Sequence, residues 1–176
     1  CHGVSKRQAH FHKRFCYMNL YKEILHEHSK VQTNKIVVWV GSSQQRFNEL
    51  VKLFLGDEYR VTQRAGWPLS NLAIEHPHLV KKHLPAFVKL LTNDKNHNAV
   101  KRNIVRLLQV VEIPEQLHGH VMDICFRFVA DVEEAVAVKA FSLTILENLS
   151  QQYPEILNEL KVIIEERWNY ETPAFH

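Results

Sequence analysis

The sequence predicts an all-α fold, an α-α superhelix in the form of a right-handed solenoid of about three to four helix pairs. Apolar residues at positions i, i+3, i+4 and i+7 mark one stripe of an α-helix, and this stripe recurs with a period of 37 residues. Only five glycines and six prolines are present, which argues against a fold rich in β-hairpins. The three copies of the stripe are Phe47, Leu50, Val51 and Phe54; Leu84, Phe87, Val88 and Leu91; and Val121, Ile124, Cys125 and Phe128.

Two helices are predicted before the first stripe. The spacing of Tyr21, Ile24, Leu25 and His28 indicates a short amphipathic helix. Residues 35–40 (KIVVWV) are apolar and β-branched, so strand propensity competes there, but we interpret them as a buried helical turn because everything after them is helical. Gly41-Ser42-Ser43 is predicted to end one helix and cap the next, since Gly suits the position after a helix and Ser suits the N-cap.

Each repeat is predicted to contain a first helix, a turn and a second helix. Pro68 lies inside the second helix of the first repeat and removes an amide donor there, so we expect a bend near residues 64–68. Because one pair cannot enclose its own apolar stripe, each pair is expected to lie on the next and share a continuous core. The predicted helices span residues 44–55, 58–76, 84–92, 97–111, 114–130 and 132–152, and another follows Pro154.

Length and composition indicate one domain with a substantial core. Hydrophobic residues make up 45% of the 176 residues, and no stretch approaches the roughly 18–20 uninterrupted apolar residues of a membrane span. Cys1, Cys16 and Cys125 are few, odd in number and irregularly spaced, which fits a reducing compartment. We therefore predict a cytoplasmic protein that does not bind a membrane.

Residues 1–17 form a basic leader, which we separate from a single predicted solenoid domain of residues 18–176. The leader carries four basic residues and no acid, whereas the rest of the chain has 18 basic and 19 acidic side chains. The net charge of +3 therefore belongs to the leader, and the nearly neutral body weakens a nucleic-acid interpretation. We expect the leader to be disordered, or to lie outside a natural chain that starts at Met18. The alternative is a basic arm for anionic partners.

The repeated residues resemble those of HEAT or HEAT-like (armadillo-type) repeats. A helix pair of about 37 residues has Asp in the turn, Arg or Lys some seven residues into the second helix, and Pro after it. The resemblance covers roughly residues 43–168 and departs from the usual pattern at Trp67-Pro68 and at Asn103, where a small residue is commoner. It implies a binding scaffold. Some such proteins contact DNA, including a bacterial alkyl-purine glycosylase group, whose catalytic residues we cannot map onto this chain.

The charged residues of the repeats admit two interpretations. One is a charged binding ladder along a groove. The other is that the aspartates cap helices and pair with charges of stacked repeats, and their position in the turns favours this second interpretation. The residues concerned are Asp57, Asp94 and Asp131, with Arg64, Arg102 and Lys139.

The densest basic region of the body follows the first repeat. Basic side chains along one edge would contact phosphates. Aromatic side chains that would stack on bases are scarce, because Phe87 belongs to the core stripe, so we favour a solvated face. The basic residues are Lys81, Lys82, Lys89, Lys95, Lys101, Arg102 and Arg106.

The sequence predicts no metal, cofactor or catalytic site. His118 and His120 would diverge by about 200° on a helix, and Cys125 lies on the core stripe, so we do not favour a metal site there with Asp123. Gly41-Ser42-Ser43 resembles the flexible loop of the fumarase/aspartase superfamily, which includes adenylosuccinate lyase. The rest of that signature is absent, so we do not favour a lyase and predict that the protein is not an enzyme.

The predicted function is a non-enzymatic protein–protein interaction scaffold that binds a protein partner on the concave face of the second helices. Recognition there would combine an aromatic or apolar anchor with charged contacts at the rim. Nucleic-acid binding through the basic residues is the alternative. The residues predicted to bind are Arg60, Arg64, Trp67, Lys101, Arg102 and Arg106.

Overall fold

Helices form all the regular secondary structure in the part of the chain that the computed structural model describes, residues 18–92 and 98–171. The predicted all-α class is confirmed, whereas the leader of residues 1–17 lies outside the described residues. Within these ranges, no helix combines the length and apolar character needed to cross a membrane. The helices are α1 (Leu20–His26), α2 (Lys30–Val40), α3 (Gln44–Phe54), α4 (Tyr59–Glu75), α5 (Leu84–Leu91), α6 (Asn98–Leu108), α7 (Glu115–Ala130), α8 (Val136–Ser150) and α9 (Ile156–Arg167).

The chain divides into two compact units, and the boundary between them falls between Pro68 and Leu69. This boundary lies inside α4, which continues from Tyr59 to Glu75 with the proline in its interior. Each unit is described below by itself. A single solenoid domain over residues 18–176 stays a prediction.

The first unit contains α1, α2 and α3, which pack against one another. The segment 35–40 is helical, as predicted, because Ser29 starts α2 by accepting a hydrogen bond from the Gln32 N–H at 3.1 Å. Gly41 ends α2 with φ of 49°, a left-handed value that favours glycine. Ser43 then caps α3 by accepting from the Arg46 N–H at 3.4 Å. The predicted stop and cap are therefore confirmed.

The second unit shows the predicted stacking of helix pairs. The helices α5 and α6 contact each other as one pair, and α7 and α8 form the next. The first helices of the two pairs, α5 and α7, contact each other, and so do the second helices, α6 and α8. The last helix, α9, contacts both members of the preceding pair. Equivalent helices therefore stack on one another from pair to pair in this unit.

All twelve residues of the three apolar stripes are buried, with exposed fractions of at most 7%. Leu84 and Val121, which open the second and third stripes, are 0% and 1% exposed. Burying an aliphatic or aromatic side chain of this size stabilises a fold by about 1.5–3 kcal/mol. Residues of the stripes that are 37 positions apart in the sequence are therefore all buried in the core.

Two second helices are shorter than the sequence predicts. The helix predicted over residues 97–111 ends at Leu108, where the chain enters a turn in which the Val110 N–H donates to the Leu107 carbonyl oxygen at 3.2 Å. The helix predicted from residue 132 begins at Val136, because the Asp131 side chain accepts from the Glu133 N–H at 2.9 Å and holds a turn. These shortened ends matter for the site described next.

Candidate functional site: a cleft at the ends of two stacked helices

A cleft of about 420 Å³ lies in the second unit, where the C-terminal ends of α6 and α8 meet the start of α7. Its volume is within the range of about 300–1,000 Å³ that is usual for ligand sites in proteins. The apolar part of its lining comprises Leu108, Val111, Ile113, Pro114, Ile145 and Leu149. The polar part comprises Glu112, Glu115, His118, Asn148 and Gln152.

The cleft opens where α6 stops early. Residues 109–114 leave the helix as a connecting loop, and this loop supplies four of the lining residues. Asn148 of α8 holds the start of the loop, because its Nδ2 donates to the Gln109 carbonyl oxygen at 3.1 Å. The site is therefore built from a loop fixed between two stacked second helices.

His118 closes one side of the cleft and is 7% exposed. Its Nε2 lies 2.8 Å from the Ile113 carbonyl oxygen, and because a carbonyl can only accept, Nε2 carries a hydrogen and donates. Its Nδ1 lies 3.1 Å from the Tyr153 hydroxyl. Both ring nitrogens therefore bond within the protein, and the imidazole positions the loop rather than offering a free acid, base or metal ligand.

The start of α7 gives the cleft a mixed electrostatic character. Pro114 stands at the N-cap and offers no side-chain hydrogen bond to the first turn. The helix N-terminus carries a partial positive charge, which Glu115 in the first turn offsets. Glu112 lies outside the helix, so its carboxylate is not compensated in this way.

Three of the predicted binding residues lie in the first unit, on α4. Arg60 is exposed. Arg64 is half-buried, and its Nη1 donates to the Leu25 carbonyl oxygen at 2.8 Å, at the end of α1. The half-buried Trp67 ring packs edge-on against His28, with ring centroids 5.7 Å apart. The structure thus gives Arg64 and Trp67 roles in packing α4 against the segment around α1.

The other three predicted binding residues lie on α6. Lys101 forms an ion pair with Glu134 at 2.8 Å, in which the two side chains are 13% and 2% exposed. Its ammonium also lies 5.4 Å from the centroid of the Phe128 ring. Arg102 is exposed and Arg106 is half-buried. None of the six predicted residues borders the cleft, so their role in binding stays a prediction.

The proposed charged ladder has no support at the two positions that the structure describes in its last repeat. Asp131 accepts from the Glu133 N–H in its own turn, whereas Lys139 bonds to the Val132 carbonyl oxygen at 3.2 Å and to Glu171 at 2.7 Å. Asp94 lies outside the described residues. The bond of Asp131 is local to its turn, and α8 has Ala135 at its N-cap, so the predicted capping of a helix by this aspartate is not observed.

The basic region is exposed over much of its length. Lys81, Lys82, Lys89 and Arg102 are exposed, and Asp94 is the only acidic residue between Lys81 and Arg106 in the sequence. Lys95 lies outside the described residues. Burial and then the neighbouring charge of Lys82 lower the pKa of His83, so this ring is uncharged near neutral pH. The region presents lysine and arginine charge without added charge from this histidine.

The residues that could suggest a metal site in the sequence lie in different environments. Burial raises the pKa of the Cys125 thiol to about 12, so this sulfur is not a thiolate at neutral pH. His120 and Asp123 are exposed, and Asp123 lies 3.4 Å from Arg127. Within residues 18–92 and 98–171, no three His, Cys, Asp or Glu side chains are grouped to hold a metal ion.

The cleft was missed because helical periodicity says little about where a helix stops. Pro114 was recognised as the start of α7, and the same proline also disfavours helix in the residue before it. Because α6 is predicted to extend to residue 111, the prediction misses most of the loop that carries Glu112. The polar residues Asn148 and Gln152 lie in the helix predicted over residues 132–152, whose pattern gives no sign that they border a cleft.

Helix pairs that stack equivalent helix on equivalent helix, as in the second unit, are the architecture of α-solenoid repeat proteins. The HEAT repeat domain family matches residues 20–174, and the chain therefore belongs to this family. No curated protein and no solved structure matches the chain. The sequence-based resemblance to HEAT repeats is thus confirmed.

Proposed function

We propose that this chain is a non-enzymatic protein-interaction module and that the cleft between α6, α7 and α8 receives its partner. The single observation that carries the proposal is the cleft itself, which combines an apolar floor with carboxylate and amide groups at its edge. This is the composition expected of a recognition pocket, where apolar contacts give affinity and polar groups fix orientation. HEAT repeats generally serve as scaffolds for protein interaction, which supports the same assignment.

Two further features belong to this proposal. Arg60 and Arg102 are exposed and remain candidates for contact with a partner outside the cleft. A cytoplasmic location is supported by the small, odd number of cysteines, which suits a reducing compartment.

The proposal is tested by blocking the cleft. Gln152 is exposed and borders the cleft, so Gln152→Trp fills it without removing a core side chain. Gln151 is also exposed and does not border the cleft, so Gln151→Trp is the matched control. Pull-downs from the native cell extract, with partners identified by mass, should lose the specific partners with Gln152→Trp and keep them with Gln151→Trp. Partners retained by both variants would contradict the assignment of the cleft.

The non-enzymatic part of the proposal has its own test. Ser43, the residue that suggested a lyase loop, accepts the first hydrogen bond of α3 and so already has a structural role. Purified protein is expected not to turn over adenylosuccinate. Turnover that is lost in a folded Ser43→Ala variant would overturn this part.

Nucleic-acid binding is the second candidate, and one observation favours it: between Lys81 and Arg106 the sequence has Asp94 as its only acidic residue. If phosphates are bound, affinity for a labelled duplex should fall steeply as salt rises. Lys89→Gln with Arg102→Gln should then weaken binding, whereas Lys161→Gln, on exposed α9, should not. Absence of binding at low salt would exclude this candidate.

A further inference from the structure

The charged side chains that line the cleft are all acidic, although the N-terminus of α7 adds a partial positive charge there. Glu112 and Glu115 are the formally charged residues of its lining, which contains no lysine or arginine. The positive end of α7 offsets part of the charge of Glu115. Glu112, in the loop, therefore sets the sign of the potential at the cleft, and this sign favours a cationic guest.

The hydrogen-bonding groups of the cleft have the same preference. Asn148 uses its Nδ2 to hold the Gln109 carbonyl, and no described residue bonds to its Oδ1. The two nitrogens of His118 are already bonded to Ile113 and Tyr153. What remains toward a guest includes acceptor oxygens, from the amide of Asn148 and the two carboxylates, beside the amide of Gln152, which can both donate and accept. A guest that brings several N–H donors is matched to such a site.

The floor of the cleft requires an apolar group beside the cation. Leu108 and Ile145 are each 1% exposed, and Leu149 is 6% exposed, so the floor is a continuation of the core between the stacked second helices. An aliphatic side chain that covers this floor gains from burial, at about 25 cal/mol per Å².

We infer that the cleft binds a short peptide segment in which an aliphatic side chain is adjacent to an arginine; this inference rests on the proposed protein-binding function. The aliphatic side chain contacts Ile113 and Pro114, which are the half-buried apolar residues of the lining. The guanidinium donates to Glu112 and to the Asn148 oxygen. Arginine suits this position better than lysine because its planar group offers five donors in a fixed fork, which two separate acceptors can share.

The experiment uses the full chain, labelled with ¹⁵N, and acetylated, amidated hexapeptides. The first is Gly-Ser-Leu-Arg-Ser-Gly; in the second Glu replaces Arg, and in the third Ala replaces Leu. The first peptide should shift the side-chain amide signals of Asn148 and Gln152, and each replacement should raise Kd about tenfold. Glu112→Gln should raise Kd for the first peptide about threefold, whereas Glu133→Gln, an exposed acid outside the cleft, should leave it unchanged.

The outcomes separate this inference from the function on which it rests. Equal binding of the Arg and Glu peptides, or no shift at Asn148 and Gln152, would overturn the inference. If Gln152→Trp nevertheless loses the cellular partners that Gln151→Trp keeps, the proposed function stands and a guest of different chemistry occupies the cleft. If neither peptides nor partners depend on the cleft, both proposals fail.

Discussion

Lys139 and Glu171 form an ion pair of 2.7 Å in which the side chains are only 2% and 5% exposed. Lys139 also donates to the Val132 carbonyl oxygen at 3.2 Å. Arg167, at the end of α9, donates to the same Glu171 oxygen through Nη2 at 2.8 Å. These bonds fix Glu171, which follows α9 in the chain, to α8. Tyr170, the residue before Glu171, is nevertheless 79% exposed.

Removing the acidic partner should destabilise the protein, because it leaves the ammonium of Lys139 buried without a counter-charge. We expect Glu171→Gln to lower the free energy of unfolding by about 3 kcal/mol or more. The control is Glu165→Gln, since Glu165 and Lys161 form an exposed pair and should contribute less than about 1 kcal/mol. Urea denaturation measures both, and equal effects would show that Lys139 finds another partner.

The same pair should make stability depend on pH. Burial acts to raise the pKa of Glu171, but the hydrogen bonds from Lys139 and Arg167 outweigh it and hold the pKa below 4.5. Because the folded pKa is the lower one, the contribution is complete above the unfolded value and is lost as pH falls through the folded pKa. The difference in unfolding free energy between the wild type and Glu171→Gln should therefore shrink below pH 4.5. A difference that is constant across this window would contradict the assignment.

The core could be predicted from the sequence because the information is local and repeated. A stripe such as Phe47, Leu50, Val51 and Phe54 fixes the buried face of its own helix, whatever that helix packs against. Its recurrence at 37 residues then implies that equivalent helices stack, and the contacts of α5 with α7 and of α6 with α8 bear this out in the second unit. The mutual packing of helices follows from where each one is apolar.

The long-range polar contacts could not be predicted, since they join residues far apart in sequence, unlike the local cap at Ser43. Arg64 bonds to a carbonyl 39 residues earlier, and Lys139 to a carboxylate 32 residues later. A basic residue on a helix gives no sign of whether its charge reaches water or a distant buried group. The cleft could not be predicted for a related reason, because its presence depends on where α6 ends.

Cys125 should be unreactive in the folded protein, because burial raises its pKa to about 12 and keeps the thiol protonated. In a Cys1→Ser/Cys16→Ser variant at about pH 8, alkylation by iodoacetamide should be roughly 1,000-fold slower than that of a free thiol. Mass spectrometry follows the adduct, and a cysteine-containing peptide in the same tube is the control. Urea should restore the reaction, whereas rapid labelling of the native chain would show that α7 opens locally.

Lys101 and Arg102 are adjacent in sequence but should respond differently to substitution. Lys101 is paired with Glu134, whose side chain is 2% exposed, so Lys101→Gln leaves a buried carboxylate and should cost about 3 kcal/mol of stability. Arg102 is exposed, and Arg102→Gln should change stability by less than about 0.5 kcal/mol. Urea denaturation distinguishes the two. Similar small effects would mean that Lys101 is available for a partner after all.

Arg64 was predicted to bind a partner, and its contacts instead predict a role in stability. Its Nη1 donates to the Leu25 carbonyl oxygen at 2.8 Å, which satisfies an acceptor at the end of α1. Arg64→Leu should therefore lower the free energy of unfolding by about 1.5–3 kcal/mol, the usual cost of losing a hydrogen bond to a charged group.

The matched control for Arg64 is Arg60→Leu, one turn earlier on α4, where the side chain is exposed and the change should stay within about 0.5 kcal/mol. Both variants are compared by urea denaturation and by hydrogen exchange of the α1 amides. Exchange in α1 should accelerate only in Arg64→Leu, since only that variant releases the end of the helix. If both variants keep wild-type stability and exchange but lose the partner, the prediction from the contacts is wrong and both arginines serve binding.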